Sequence, residues 1–399
     1  MRNEIFNHFR NKNILVVIKN NDNNAFLNLT YLLEKRLRNS FFHYIYYGGE
    51  DFIHVNKEIR NTIENRPIDI LICCSHYFFD YELLYSLQGK VYRIKIEGDD
   101  LSHYHIFTKW YAQFFDLNIT VSSLTRDWLE SEGNNSYLIP LTNVISPNQR
   151  LKPIKRNGRY LYDVSFVGRL DICDRQKYID LLKGRNYKLK IVDSSNRSNY
   201  YESEEMKNLF NESRINLNFT KTSFIGADNL ELNYDPSASL RRHRRGRIYE
   251  ILSENSFCLS EYADDLKDFF RLDGHIGVFD DQHDFLNKVD YYLQNEKYRL
   301  DLCRNGFKHV NTKLNSDVIV DGIISKIWDS FGERKILHGY VLAEGTRKYL
   351  SCYIRRKRCL HYLGNINFFR NTIGVKSLFS KLVSFAIGRI FLKIALPLK

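Results

Sequence analysis

Three groups of residues in this sequence have the types and spacing to do chemistry. The first lies in the run DVSFVGRLDICDRQK, where Gly168 and Arg169 are followed by Arg175 and Lys177. An apolar strand pattern meets a glycine, and cations then gather at the opening of a helical pattern. Helix N-termini and guanidinium forks both bind phosphate oxygens. The same run also describes a solvated helix surface, so two readings stay open. The second group is Arg241 to Arg247, RRHRRGR, the densest basic run ahead of residue 341 and home to Arg245 and Arg247. It suits a diphosphate or an anionic acceptor; equally, it suits a solvated loop of mutually repelling charges. No aromatic residue interrupts the run, so it lacks the stacking pattern of a single-stranded nucleic-acid binder. Glu250 follows Arg247 at i, i+3, the spacing of a helical ion pair. The third group is Asp99, Asp100, His103 and His105, directly after a strand pattern at Val91 to Ile96. A carboxylate or imidazole there could accept a proton from an attacking hydroxyl. An Asp-Asp pair is also an ordinary helix cap.

The elements that must position these residues are legible as an alternation. Strand patterns fall at Asn13–Lys19, Phe41–Tyr47, Ile68–Cys74, Val91–Ile96 and Leu117–Ser122, with helical patterns at Phe26–Leu37 and Ile53–Asn65 among them. The strands are continuous apolar runs, which implies parallel sheets buried on both faces. Ser146 to Arg159 is polar and carries two of the six prolines, the composition of a linker. A second series follows. Its strands are Tyr162–Val167, Tyr187–Val192, Ile215–Phe219, Ser256–Ser260 and Ile276–Phe279. Its helices are Asp174–Leu182, Ser203–Asn211, Arg247–Ser253, Phe285–Asn295 and Tyr298–Thr312. This divides the chain into 1–150, 151–340 and a remainder, 341–399. Two doubly wound units joined by a linker leave a cleft, and ligands of such sheets bind at the carboxyl ends of the strands.

Charge separates the remainder from the rest. The chain carries +12, and twelve Lys or Arg against the single acid Glu344 place nearly all of it between Val341 and Lys399. A near-neutral body argues against a body that grips nucleic acid. In the tail, Arg355, Arg356, Lys357 and Arg358 precede apolar residues punctuated by Lys376, Lys381, Arg389 and Lys393. That pattern suits a helix in the headgroup plane, its cations against anionic lipid. The rival reading is a helix packed back on the body. Seven cysteines with no CxxC spacing give neither a disulfide framework nor a zinc site. The polar N-terminus has no apolar signal core. No run reaches the length of a membrane-spanning helix. The expectation is a cytoplasmic protein, peripheral on the inner face of the membrane.

Four stretches in order carry a family resemblance: DVSFVGRLDICDR, LFNESRINLN, RIYEILSENSFCLSE, which ends at Glu261, and Ile276 to Gly306, ending YYLQNEKYRLDLCRNG. Through them, residues 160 to 315 resemble the CgeB-like group of glycosyltransferases, related to the large family-4 retaining enzymes. The resemblance implies the GT-B fold: an α/β architecture of two Rossmann-like domains facing a cleft, here followed by a basic helical tail. It implies a nucleoside-diphosphate-sugar donor in the second domain, near Gly168, Arg169, Arg175, Lys177, Arg245, Arg247, Glu250 and Glu261. Glu250 matches a glutamate that contacts the ribose hydroxyls in family-4 relatives. Those relatives have another glutamate eight positions earlier, and this chain has Arg242 there, so a role built on that first acid is in doubt. Acceptor contacts and a base would come from the first domain, with Asp100, Asp99 and His103 the candidates. No metal and no cofactor are implied. The acceptor expected is a glycan or a lipid-linked species at the membrane, as in surface polysaccharide or lipopolysaccharide synthesis. Two rivals remain: a related nucleotide-binding protein without turnover, and a protein whose whole function is its membrane- or RNA-binding tail.

Overall fold

The computed structural model describes residues 4, 7–19, 25–47, 52–74, 79–98, 101, 104, 108–140, 160–194, 203–221 and 242–332. The basic tail, the linker Ser146 to Arg159, and Asp99, Asp100, His103 and His105 lie outside them.

The first half alternates strands and helices in the order β1 (Asn13–Lys19), α1 (Ala25–Arg36), β2 (Phe41–Tyr47), α2 (Phe52–Asn65), β3 (Ile70–Cys74), α3 (Tyr81–Ser86), β4 (Tyr92–Glu97), α4 (Lys109–Ala112), β5 (Leu117–Thr120), α5 (Ser123–Ser131) and β6 (Ser136–Leu138). All pairings are parallel, in the order β2-β1-β3-β4-β5-β6. The apolar runs are continuous because both faces are covered. In β1, Ile14, Val16 and Ile18 pack under α1, while Leu15 and Val17 pack under α2 and α3. β4 is the exception in composition. Its Arg93 is wholly buried, and its guanidinium grips both carboxylate oxygens of Asp116 at 3.0 Å and donates to the Leu84 carbonyl. A buried charge requires such complete pairing.

The second half runs β7 (Tyr162–Gly168), α6 (Arg175–Lys183), β8 (Leu189–Asp193), α7 (Ser203–Glu212), β9 (Ser213–Asn218), α8 (Arg247–Ser253), β10 (Cys258–Glu261), β11 (Gly277–Phe279), α9 (Gln282–Gln294), α10 (Glu296–Lys313) and α11 (Ser316–Phe331). Its sheet is also all parallel, ordered β11-β10-β9-β7-β8. α7 and α8 cover one face, and α6 and α9 cover the other. The strand order reverses between β7 and β9, the crevice where doubly wound sheets bind ligands.

Helix α11 does not add to the second sheet. Asn315 caps it by accepting from Val318 N, and its apolar stripe of Ile319, Val320, Ile323, Ile324 and Ile327 enters the core of the first half. Arg36 on α1 forks onto Asp321 with two bonds of 2.7 Å, and Tyr92 on β4 bonds Ser330. The chain therefore crosses back and closes the open face of the first sheet. Replacing wholly buried Ile323 by Ala should destabilise the protein by about 2–5 kcal/mol, whereas Arg36→Ala, at a half-exposed pair, should cost about 1 kcal/mol or less. Urea unfolding of the two variants checks the ranking; equal costs would mean that α11 is held by its charges and not by its apolar face.

Candidate functional site

The crevice between β7 and β9 is where the cations singled out in the sequence converge. β7 ends at Gly168, which is not in the left-handed region; a Cβ there would stand 2.8 Å from the ring of Phe166. Space for that ring is what requires glycine. The left-handed turn residue is instead Cys173, at φ 52°, just before α6. Asp174 occupies the N-cap position of α6 yet caps nothing with its side chain. Its carboxylate is drawn 2.6 Å from the ammonium of Lys221, which follows β9. The α6 N-terminus thus lacks a side-chain cap, and its backbone dipole faces the crevice edge.

Arg175 opens α6. It is 8% exposed, it donates to the carbonyls of Arg169 (3.0 Å) and Lys221 (3.5 Å), and its Nε has no partner. Among the described residues no carboxylate reaches its guanidinium. Burial, followed by repulsion from Arg245, pulls its pKa down to about 10, so it remains charged at neutral pH. A buried cation with no carboxylate in contact among the described residues is costly unless a further negative group, such as a ligand, approaches it.

Arg169, Arg242 and Arg247 are held by carboxylates. Arg169 forks onto Asp171 in an exposed turn, and Lys177 points from the exposed side of α6. Arg242 reaches the Asp280 carboxylate at 2.9 Å and lies 3.7 Å from Glu261. Arg247 pairs with Glu250 at 2.5 Å and touches the sulfur of Met206, so the i, i+3 pair is present on the first turn of α8. Arg245 is half-buried close to Arg175. Glu261 is 1% exposed and faces inward to the chain around it. Lys221 and Asp174 were not singled out in the sequence; a lone lysine after a strand carries no motif, and only strand order places it here.

The same segment joins the two halves. His243 N donates to Thr220 O at 3.0 Å, at the carboxyl edge of the second sheet. The next residue, Arg244, is wholly buried and reaches the other sheet: Nη2 donates to Val121 O at 2.6 Å and to Ile139 O at 3.4 Å, just past β5 and β6. Its backbone N bonds both oxygens of Asp265, and its guanidinium lies 4.0 Å from the Phe269 ring. The carboxyl edges of the two sheets therefore face one another. On the first side, the described part of that edge carries buried Lys95, Glu97, Thr120 and Ser122. No group of three or more His, Cys, Asp or Glu among the described residues could hold a metal ion.

Two parallel doubly wound sheets with facing carboxyl edges, closed by a returning helix, define an architecture. This is the GT-B fold. Solved structures share it at low sequence identity. Sucrose-phosphate synthase from Thermosynechococcus elongatus superposes with a TM-score of 0.55 at 10% identity, over 81% of this chain and all of that one. Anabaena HepE, solved with UDP-glucose, gives 0.54 at 9% identity, over 79% and 99%. The lipopolysaccharide outer core galactosyltransferase WaaB gives 0.50 at 13% identity, over 79% and 99%. Residues 150–324 match the family model described as glycosyl transferase-like. Sequence comparison with curated proteins gives no match. The chain is thus glycosyltransferase-like in its second half and GT-B in fold.

Two histidines of the second half set an acid limit on the structure. Burial, then Arg245 and Arg244, hold His243 well below its ordinary 6.5. His275, stacked on His309 at 4.2 Å, is lowered to about 4 by burial first and then by His309. Each is neutral when folded and titrates at about 6.5 when unfolded, so the unfolded chain binds more protons below that pH. Their contribution to stability is complete above pH 6.5 and declines as pH falls toward the folded pKa values, for His275 between 6.5 and about 4. The urea midpoint should therefore drop across that window, and His275→Asn should drop less than wild type; identical slopes would remove His275 from the account.

Proposed function

We propose that this protein is a metal-independent glycosyltransferase that takes a nucleoside-diphosphate-sugar at the β7/β9 crevice and delivers the sugar to a glycan or lipid-linked acceptor. The observation that carries this reading is Arg175, a buried guanidinium that no carboxylate among the described residues contacts, at the strand-order reversal of a GT-B fold. When the bond from the anomeric carbon to the diphosphate breaks, negative charge grows on the leaving β-phosphate. Fixed cations and helix N–H groups aimed at that charge lower the barrier, because they need no reorganisation as it develops. Arg175, Lys221 and the uncapped start of α6 lie together at the crevice, which supports this reading. Arg245 adds positive potential beside them. The family resemblance supports Glu250 as the ribose acceptor; its carboxylate would then share its bonds with Arg247. The UDP-glucose complex of Anabaena HepE supports a nucleotide-sugar as ligand class.

Binding of the donor is tested by thermal shift with UDP, GDP, CMP, dTDP and ADP, on wild type, Arg175→Met and Glu250→Ala. A ligand that binds only the folded state raises the melting temperature by mass action. One nucleotide should stabilise wild type. Arg175→Met should melt at or above the unliganded wild type yet bind about 10- to 100-fold more weakly, the loss of a charge-assisted bond to phosphate. If no nucleotide shifts the folded wild type, the donor-site reading fails.

A second reading has one observation in its favour. Arg242 stands where family-4 relatives carry an acid, and it is committed to Asp280 and Glu261. A nucleotide-binding protein without turnover would bind the nucleotide but release no sugar from any sugar nucleotide.

For the tail we infer attachment to the cytoplasmic face of an anionic membrane through Arg355, Arg356, Lys357, Arg358, Lys381, Arg389 and Lys393, which fits an acceptor in lipopolysaccharide or other surface-polysaccharide synthesis. No helix among the described residues is long and apolar enough to span a bilayer. Each cation near such a surface contributes about 1 kcal/mol. Deleting Val341–Lys399 should abolish sedimentation with phosphatidylglycerol vesicles and preserve the nucleotide shift. Loss of the nucleotide shift in a folded truncation would tie the tail to the body instead.

A further inference from the structure

Glu261 closes β10 beside the crevice; its Oε2 is hydrogen-bonded, while its Oε1 is buried beside two cations and makes no hydrogen bond. Oε2 accepts from Thr220 N at 3.0 Å, Thr220 Oγ1 at 3.2 Å and Lys221 N at 3.1 Å. Oε1 lies 3.3 Å from the Lys221 ammonium and 3.7 Å from Arg242 Nε. The Thr220 hydroxyl also reaches Tyr262 O at 3.0 Å. One carboxylate, 1% exposed, therefore fixes the backbone where the chain leaves β9 and the two cations that border that exit. Lys221 and Arg242 face each other in an antiparallel bridge at the same place. Lys221 carries three N–H donors; Asp174 and Glu261 engage it, and its carbonyl accepts from Arg175.

We propose that Glu261 is a positioning residue for donor phosphate and not a ligand of the nucleotide. It acts through Lys221, whose ammonium and carbonyl it sets in place, and through Lys221 on Arg175. This rests on the donor site proposed above and extends it. The geometry favours positioning over direct contact because Oε2 is taken up by Thr220 and Lys221, and Oε1, in a carboxylate only 1% exposed, has the Lys221 and Arg242 cations as its neighbours. A ribose hydroxyl would have to reach Oε1 past those two cations, which already neutralise its charge.

The sign of the effect separates positioning from simple charge. Glu261 and Asp174 both put a negative charge beside Lys221, but only Glu261 holds the 220–221 backbone. Removing a carboxylate near cations should by Coulomb's law favour an anion. Binding of inorganic pyrophosphate, UDP and GDP to the full chain is measured by calorimetry. Asp174→Asn should bind pyrophosphate more tightly than wild type. Glu261→Gln should bind pyrophosphate, and whichever nucleotide binds wild type, about tenfold or more weakly and by the same factor, despite its gain in positive charge. Tighter pyrophosphate binding by Glu261→Gln would overturn the proposal. So would a loss confined to the nucleotides, which would return Glu261 to direct ribose contact. If Glu261→Gln does not fold, Thr220→Ala, which deletes one of the donors to Oε2, should weaken pyrophosphate and nucleotide alike, and unchanged binding overturns the proposal. A folded wild type that binds none of the three probes would refute the donor site itself, whereas normal wild-type binding with unaltered variants would refute only the role of Glu261.

Discussion

A guanidinium taken wholly out of water must find acceptors, and Arg244 finds them in both halves of the molecule. Its side chain spends its bonds on the carbonyls of Val121 and Ile139 from the first half and Asp265 from the second, with the Phe269 ring beneath. Leaving those partners would strand a buried charge, a far larger cost than the loss of an exposed ion pair. Together with α11 packed under the first sheet, this contact fixes the two carboxyl edges opposite one another. The segment that carries Arg244 also carries His243, Arg245 and Arg247, so the residue that joins the halves delivers its neighbours to the crevice.

Charge at the crevice is distributed unequally. Lys221, Arg242, Arg169 and Arg247 each have a carboxylate beside them, while Arg175 has, among the described residues, two backbone carbonyls and the Phe219 ring. Paired cations are oriented and nearly neutral in sum. The unpaired one, deepest and driest, supplies net potential. An arrangement of this kind is less flexible than a cluster of solvated arginines, which is what the proposed donor site requires.

The basic run Arg241 to Arg247 shows how uniform sequence hides divided roles. Within six residues, Arg242 pairs with Asp280, Arg244 joins the halves, Arg245 lies near Arg175, and Arg247 holds Glu250. Neither a single phosphate-facing patch nor a solvated loop describes it. Like charges resist ordering only while they share one environment, and here Arg242, Arg244 and Arg247 leave the backbone toward different elements.

The sequence by itself determined the α/β alternation, the parallel sheets and most element limits, because buried parallel strands demand unbroken apolar runs such as Asn13–Lys19 and helices a 3.6-residue period. It also named Arg175, since a cation that opens a helix after a strand leaves a local signature. It did not reveal three-residue β6, too short for any period, or the burial of Arg93 and Lys95 in β4, where alternating cations imitate a half-exposed strand. Gly168 was legible but for another reason than its turn, because the Phe166 ring that needs the space is fixed by the pleat. Only the tertiary structure could decide that α11 belongs under the first sheet, that Lys221 joins the site, and that Glu261 faces the backbone and not the solvent. Those facts depend on contacts between residues 40 to 285 positions apart. Such contacts follow from strand order and from the pairing of buried charge, and no local pattern of residues records either.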